Sequence, residues 1–154
     1  MQQLDSLNQV AEFHKTFKHP ILDKPAIPSE DRSKLRVALL AEELKELEVA
    51  ILEKDIVEVA DALCDLQYVL AGAVLEFGLG EKFRELFDEV QRSNMSKACL
   101  TIEEAEATVA HYQAKGTECY YKEDEGKYLV YRKADDKTLK NINYSPADLA
   151  SILV

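Results

Sequence analysis

Two consecutive helix-forming segments with acidic residues at helical spacing constrain the fold of this chain most strongly. The stretch from Glu42 to Asp65 reads EELKELEVAILEKDIVEVADALCD, and only the short polar joint EKD interrupts its helical periodicity. A joint this short makes the two predicted helices antiparallel neighbours in a bundle. Acidic side chains from both helices can therefore converge on one region.

The acids lie within or beside the apolar faces of these helices. At about 100° per residue, Glu43 falls inside the apolar stripe of the second predicted helix, Glu46 on its edge, and Glu42 further out. The remainder of the next helix is apolar nearly all round, which is typical of a buried helix. Three of its acids share one face: Glu58, Asp61 and Asp65.

No base in the third helix neutralises these acids, because no Lys or Arg occurs between Lys54 and Lys82. Solvent exposure is the usual state of helical acids, and it explains Glu48 and Glu53. Burial of an unpaired carboxylate costs several kcal/mol, by order of magnitude. A bound cation is the better explanation for acids on an apolar face, and an all-oxygen ligand set suits Mg²⁺, with Mn²⁺ as a possible substitute.

A di-iron bundle is the competing interpretation of buried acids. Such bundles use Glu-x-x-His pairs, and the three histidines lie outside the acidic segments: His14, His19 and His111. The sequence therefore favours hard divalent ions. Carboxylate-bound Mg²⁺ keeps open positions for phosphate oxygens, which points to a polyphosphate substrate.

The rest of the chain predicts a mainly α fold, a helical bundle of four to five helices with a small C-terminal β-hairpin. Three prolines interrupt the segment KHPILDKPAIPSED, and ECYYKEDEGKYLVYRK has the pattern of a hairpin around an Asp-Glu-Gly turn. Alternation places Tyr128 with Val130 on one hairpin face and Tyr131 on the other. The predicted helices are 4–17, about 29–53 with Ser29 as cap, about 55–77 ended by Gly78, 81–92, 101–116 with a Thr101–Glu104 capping box, and a short last helix from Pro146.

Length and charge bound the class of protein. We expect one domain over residues 1–154, with a core at 1–100 and the last helix, hairpin and short helix at 101–154. The formal charge of −10 argues against nucleic acid and membrane partners. Three cysteines without a CxxC pair and an N-terminus without a secretory pattern predict a cytoplasmic protein.

The acidic motif resembles the signature of the all-α nucleoside triphosphate pyrophosphatases. This superfamily, which includes MazG-like proteins, dimeric dUTPases and phosphoribosyl-ATP pyrophosphatases, carries Glu-x-x-Glu followed by Glu-x-x-Asp. Here Glu43-Leu-Lys-Glu46 and Glu58-Val-Ala-Asp61 match the two halves, and the similarity extends from EFHKTFKHP through NMSK to NYSPADL. The gap between the halves is slightly short. Asp65 is an added or substitute ligand, since aligning it as the motif aspartate would place the partner Glu on Ala62.

The resemblance implies cleavage of a nucleoside triphosphate between the α- and β-phosphates. It assigns the Mg²⁺ ions to Glu43, Glu46, Glu58 and Asp61, a water-activating role to Glu42, and phosphate contacts to Asn94 and Lys97. Nucleotide-pool housecleaning is the role that such an activity would serve. The alternatives are a phosphoribosyl-ATP pyrophosphatase and a non-catalytic helical protein that binds metal or nucleotide.

Other residues carry two interpretations each. Arg36 is either a phosphate ligand or the structural partner of an acid, and Phe13 and His14 either contact a nucleobase or belong to the core. The apolar surface of residues 36–77 exceeds what a few neighbours can cover. We therefore expect a homo-oligomer, a dimer or a dimer of dimers, whose active site uses residues of both copies.

Overall fold

The computed structural model describes residues 4–154, and the chain forms two compact units, the first ending at Phe83 and the second running from Arg84 to Val154. The first unit holds α1 (Ser6–Phe17), α2 (Glu30–Glu53), α3 (Ile56–Glu76) and a 3₁₀ turn (Gly80–Lys82). The second holds α4 (Phe83–Met95, which begins at the boundary), α5 (Ile102–Ala114), β1 (Cys119–Asp124), β2 (Lys127–Arg132) and α6 (Leu149–Leu153). The predicted fold class, mainly α with a C-terminal hairpin, is confirmed.

A two-residue joint turns α2 back along α3. Lys54 adopts a left-handed conformation with φ of 59°, and its N–H and that of Asp55 donate to the last carbonyl groups of α2. The carboxylate of Asp55 then accepts from Val57 N at 2.9 Å and Glu58 N at 3.2 Å, which caps α3. The reversal is therefore encoded by local polar contacts, and the two helices run antiparallel as predicted.

The proline-rich segment crosses the carboxyl end of α3 in an extended form. Leu22 N donates to Leu75 O and Ala26 N donates to Phe77 O, both at 3.1 Å. Gly78 ends the helix with φ of +67°, and a Cβ there would overlap the carbonyl oxygen of Lys24. Only glycine fits this approach, so the predicted end of the third helix is confirmed.

Burial divides α3 into two halves. Its carboxyl half packs with Val10 of α1 into a core that includes Ala71 and Leu75. Its amino half is open: Ile56 is 76 % exposed and Val57 is 70 % exposed. The prediction that this helix is buried nearly all round is wrong for the amino half of α3; residues 71–76, at its carboxyl end, are buried or half-buried.

The second unit is built around its own small core. Glu125 and Gly126, both with positive φ, form the hairpin turn, a conformation that matches the twist of the paired strands. The register pairs Tyr120 with Tyr131 and Tyr121 with Val130. The side chains of Val130 and Tyr128 belong to the core cluster, as the alternation predicts. The core residues of this unit are Cys99, Ala105, Cys119, Val130 and Leu139.

The last helix begins later than predicted. Pro146 lies outside it, because the Pro146 carbonyl oxygen accepts from Arg92 of α4 at 3.0 Å, and Asp148 caps α6 by accepting from Ser151 N. The fourth helix is likewise displaced, since a 3₁₀ turn occupies the positions before Phe83. Among residues 4–154, no single helix has the length and apolar character needed to cross a membrane.

Candidate functional site

The register between α2 and α3 decides which acids face one another. Near the start of α2, Arg36 lies against Gly72 of α3, since a Cβ on that glycine would be 2.7 Å from the Arg36 Nη1 atom. Glu43 follows Arg36 by the same number of residues that separates Asp65 from Gly72. In an antiparallel pair this places Glu43 level with Asp65, two helical turns along.

Glu43 is the centre of the acid cluster. Its side chain is half-buried, and its Oε2 atom is buried without a hydrogen-bond donor. The pKa of Glu43 is raised above its ordinary value of 4.5, first by burial and then by the charges of Glu46, Asp65, Glu42 and Asp61. The structure therefore brings together acids from both helices around one oxygen that has no internal partner.

Glu58 lies at the other end of this acid surface. It shares a depression of about 260 Å³ with Glu46 and Glu53, which Lys45 and Ala50 also line. Glu46 therefore lies near both Glu43 and Glu58. The expectation of buried carboxylates is wrong for Glu58, Asp61 and Asp65, which are exposed, because they lie on the open amino half of α3.

The donor set of this surface is chemically uniform. In residues 4–154, no three His, Cys, Asp or Glu side chains are already arranged as a metal site. The clustered donors are nevertheless carboxylate oxygens alone, the ligands preferred by hard divalent ions. A buried acceptor among like charges is stabilised by a cation, so the residues present fit Mg²⁺ or Mn²⁺.

A second feature of the first unit is a cavity of about 220 Å³ between α1, α2 and α3. Phe13 and His14, the two predicted base contacts, both line it, and sequence reasoning missed Tyr68 and His19. The rings of Phe13 and His19 stack with centroids 5.7 Å apart and planes 15° apart, and Phe13 meets Tyr68 edge-on at 5.7 Å. The other lining residues are Val10, Arg32, Leu35, Arg36, Leu39 and Val69.

A buried charge network lies beside this cavity, since Arg32 and Arg36 belong to both. Arg32 and Arg36 of α2 both donate to the carboxylate of Glu76, a side chain with no exposed surface. Burial by itself raises the pKa of Glu76, but the hydrogen bonds from Arg32 and Arg36 outweigh it and lower the pKa. Arg36 is therefore the partner of an acid, one of its two predicted roles, while phosphate contact stays a prediction.

His14 is held as a neutral ring in the same network. Its Nδ1 atom lies 2.9 Å from the carbonyl oxygen of Pro20, which assigns the proton to Nδ1 because a carbonyl only accepts. Burial and the charge of Arg36 lower the pKa of His14, against a hydrogen bond to Pro20 that raises it. The Nε2 atom is then an acceptor, 3.4 Å from Arg36 Nη2.

The two predicted phosphate contacts of the second unit lie at the end of α4. Lys97 Nζ donates to Asn94 Oδ1 at 2.8 Å. Asn94 is exposed and Lys97 is half-buried. The pair holds one Lys donor and leaves the two remaining Nζ hydrogens for an anion, so the predicted role stays a prediction.

One signal in the sequence points to the network that was missed. Glu76 is the only charged residue in the apolar run from Leu66 to Phe77, and a lone acid there requires a basic partner. Gly72, one helical turn before Glu76, marks a close approach to α3. No comparable signal identifies Tyr68 or His19, because their meeting depends on the path of the proline-rich segment.

A comparison with known families places this chain, with its antiparallel acid-bearing helices, in the MazG-like, all-α nucleoside triphosphate pyrophosphatase superfamily. Residues 10–94 match the model of the family described as phosphoribosyl-ATP pyrophosphohydrolase. The match covers more than half of the chain and contains every acid of the cluster, so the chain belongs to the phosphoribosyl-ATP pyrophosphohydrolase family.

A relative of similar sequence is an uncharacterized protein of Acanthamoeba polyphaga mimivirus. It is 33% identical over an alignment of 81 residues, and the alignment covers 49% of this chain and 32% of the viral protein. This chain therefore spans about a third of the length of that relative.

Proposed function

We propose that this protein is a Mg²⁺-dependent nucleoside triphosphate pyrophosphohydrolase that converts NTPs or dNTPs into the monophosphate and pyrophosphate. The observation that carries the proposal is the buried, unpartnered Oε2 atom of Glu43 at the centre of acids from two helices. Such a group is tolerated when a cation lies beside it. The family match supports the reaction class.

The residues proposed to hold the ions are Glu43, Glu46, Asp61 and Asp65, with Glu58 next to Glu46. Glu43 and Asp65 are level on facing helices, and Asp61 lies one turn from Asp65. Mg²⁺ held there supplies neutralisation of phosphate charge and activation of a water nucleophile. Asp65, an added ligand by the sequence motif, is in this register a principal one.

Glu42 is the residue proposed to take the proton. It is exposed beside Glu43, so a water molecule can reach its carboxylate, as a general base requires. In the balanced reaction the water oxygen forms a bond to phosphorus and the bond between the α- and β-phosphates breaks. One water proton passes to Glu42, and pyrophosphate leaves.

The direct test incubates the protein with a panel of NTPs and dNTPs plus Mg²⁺ and measures pyrophosphate. Glu43→Gln and Asp61→Asn remove proposed ligands, and we expect at least about 100-fold lower kcat/KM because weaker, indirect ligand contacts already reach that size. Glu30→Gln is the matched control, since Glu30 lies on α2 but pairs with Lys34 on the exposed surface. Full activity in Glu43→Gln would contradict the metal site, and orthophosphate as product would contradict the proposed scissile bond.

A second candidate substrate is phosphoribosyl-ATP, which the description of the matching family favours. The same pyrophosphate assay distinguishes it from NTPs by the ratio of kcat/KM values. Growth of a bacterial strain that lacks its own phosphoribosyl-ATP pyrophosphohydrolase, in medium without histidine, provides an independent test. Rescue of that strain would favour this substrate, whereas rapid NTP cleavage without rescue would favour the first proposal.

We also propose that two copies of the chain associate through the apolar surface beside the helical joint. Leu52 of α2 is 74 % exposed, and Leu44, Ile51, Ile56 and Val57 are exposed nearby. Lys45 and Glu48 supply opposite charges at the same face, a combination that a two-fold axis makes complementary. Leu52→Glu should convert the dimer to monomer in light scattering, and a monomeric wild-type mass at all concentrations would contradict the proposal.

A further inference from the structure

Residues 139–148, in the second unit, form neither helix nor strand but are hydrogen-bonded to the end of α4. We propose that this segment, chiefly through Tyr144, positions the turn that carries Asn94 and Lys97 for contact with the phosphates of the substrate. This inference rests on the proposed nucleotide substrate. It adds positioning residues that lie beyond residue 94, where the family match ends.

The carboxyl end of α4 continues into a turn that brings Lys97 back to Asn94. Lys97 N donates to Asn94 O at 3.2 Å, and Ala98 N donates to Met95 O at 3.3 Å. Each of these bonds spans three residues, which is the spacing of a 3₁₀ turn. Lys97 Nζ also donates to Asn94 Oδ1 at 2.8 Å. The turn therefore presents the two side chains together.

The partner of Lys97 distinguishes it from other lysines of the chain. Lys34, Lys45 and Lys133 pair with acids, whereas Lys97 donates to the neutral amide of Asn94. An ammonium group has three donors, and Asn94 takes one of them. The positive charge and two donors of Lys97 therefore remain for an anion, and phosphate is an anion that lysine binds as a point charge.

Tyr144 is bonded to the residue directly before Asn94. The Tyr144 hydroxyl oxygen lies 2.8 Å from Ser93 Oγ, and Ser93 is only 3 % exposed. Lys140 Nζ lies 4.3 Å from the centroid of the Tyr144 ring, which is a cation–π contact. Tyr144 is thus held at its hydroxyl group and over its ring, and through Ser93 it fixes the place where Asn94 begins.

The residue directly before Lys97 is bonded to the same segment. The Ser96 hydroxyl group donates to Ser93 O at 2.7 Å and accepts from Ser145 N at 3.0 Å. Ser145 follows Tyr144 in the chain, so two adjacent residues of the segment hold Ser93 and Ser96. These two serines precede the two proposed phosphate contacts.

Asn141 holds the turn on its far side. It is 6 % exposed, and its Nδ2 atom donates at 3.1 Å to the carbonyl oxygen of Ala98, the residue after Lys97. The turn is therefore bonded to the segment before, within and after the pair of Asn94 and Lys97. Groups held in this way lose less conformational freedom when a ligand binds, which raises affinity.

The test measures binding of inorganic tripolyphosphate by calorimetry in Mg²⁺ buffer, because this probe carries phosphates without base or sugar. We expect Lys97→Ala to bind it at least about 10-fold more weakly, as for loss of a hydrogen bond from a charged donor. Tyr144→Phe and Ser93→Ala each remove one end of the same hydrogen bond, and each should weaken binding about 3-fold or more.

Two control variants separate positioning from stability, which these hydrogen bonds also support. Tyr120→Phe removes a hydroxyl group that bonds to Asp136 at 2.7 Å in the same unit. Val130→Ala removes part of a fully buried core side chain and should lower the melting temperature. At a temperature where every variant is folded, both controls should bind tripolyphosphate as wild type.

A double variant shows whether Tyr144 acts through Lys97. Tyr144→Phe combined with Lys97→Ala should bind no more weakly than Lys97→Ala alone, because the group that Tyr144 positions is already missing. Losses that add would mean that Tyr144 contacts the anion itself, and they would overturn the positioning role. Unchanged binding in Tyr144→Phe, or in Lys97→Ala, would overturn it as well.

The proposed reaction and the positioning role can fail separately. Tripolyphosphate binding that depends on Lys97 and Tyr144, without release of pyrophosphate from any nucleotide, would refute the reaction and leave the positioning role standing. With a nucleotide that is cleaved, Tyr144→Phe should raise KM by the factor seen for tripolyphosphate, while Tyr120→Phe keeps the wild-type KM. Cleavage with an unchanged KM in Tyr144→Phe would refute the positioning role and leave the reaction standing.

Discussion

The two halves of α3 treat negative charge in opposite ways. In the carboxyl half, Glu76 is fully buried and two arginines of α2 neutralise it. In the amino half, Asp61 and Asp65 face Glu43 with no basic side chain of the described helices between them. The charge of Glu76 is balanced within the chain and stabilises the fold. The acids around Glu43 are not balanced within the chain, and they mark the place where we propose that a cation binds.

Removal of the internally balanced charge should have the largest effect. Glu76→Gln leaves Arg36 buried without a counter-charge, and we expect the free energy of unfolding to fall by about 3–5 kcal/mol. Urea denaturation followed by circular dichroism measures this. Glu81→Gln, at an exposed position, is the control and should unfold as wild type; a similar loss in both variants would remove the contrast between the two halves.

Addition of Mg²⁺ should raise the free energy of unfolding by neutralising the acids in the amino half of α3. At about 100 times its Kd, an ion that binds only the folded state raises the free energy of unfolding by about 2.7 kcal/mol. Thermal denaturation with and without Mg²⁺ should show this gain in wild type and in Glu30→Gln. Glu43→Gln should show little gain while being more stable than wild type in chelator, because it loses a repelled carboxylate. An equal gain in Glu43→Gln would place the ion elsewhere.

A substitution at Gly72, in the carboxyl half between Glu76 and the acid cluster, should have an intermediate effect. Gly72→Ala brings a Cβ within 2.7 Å of Arg36 Nη1, and we expect a loss of about 1–3 kcal/mol from overpacking. In Gly80→Ala the Cβ would meet only the end of Leu75 at 3.2 Å, so chemical denaturation of that variant should differ little from wild type. Equal stability of the two variants would show that Arg36 can move away without cost.

The pH dependence should be the smallest effect and should have opposite signs in the two halves. The raised pKa of Glu43 means that its stabilising contribution is present at low pH and is lost as pH rises above about 4.5 toward the folded-state pKa. The lowered pKa of Glu76 means that its contribution is present above that range and is lost as pH falls through the folded-state pKa.

Thermal denaturation in chelator between pH 3 and pH 8 tests both signs. Relative to wild type, Glu43→Gln should lose the decline in stability as pH rises above about 4.5, where a glutamate ordinarily titrates. Glu76→Gln should lose part of the decline on the acid side. Parallel curves for wild type and Glu43→Gln would show that this carboxylate is not under repulsion in solution.

Local signals explain what the sequence could predict. Asp55 caps α3 through its own neighbours, Gly78 ends α3 with a positive φ, and Glu125-Gly126 turns the hairpin. Each of these features is local, so the pattern alone predicts it. The predicted start of α6 was wrong because Arg92, more than fifty residues earlier in the chain, donates to the Pro146 carbonyl oxygen. That contact has no local signature.

The site shows the same division. Helical spacing predicts that Glu43, Asp61 and Asp65 lie near one another, because a short joint fixes the direction of both helices. It does not predict which acids are level, since the register depends on Arg36 meeting Glu76, which lies forty positions further along the chain. Exposure of Glu58 was likewise missed, because an apolar helix in sequence does not reveal which of its ends the rest of the chain covers.

The ion pair between Arg36 and Glu76 also fixes the register of α2 against α3 along the rest of the helix pair. A shift of one helix past the other by a single turn, about 5.4 Å, would break that ion pair. The same shift would move Glu43 away from Asp65. The ion pair of Arg36, two turns from Glu43, thus sets the spacing of the proposed metal ligands before an ion binds. Substitutions of Arg36 or Glu76 should therefore weaken ion binding even though every proposed ligand is still present.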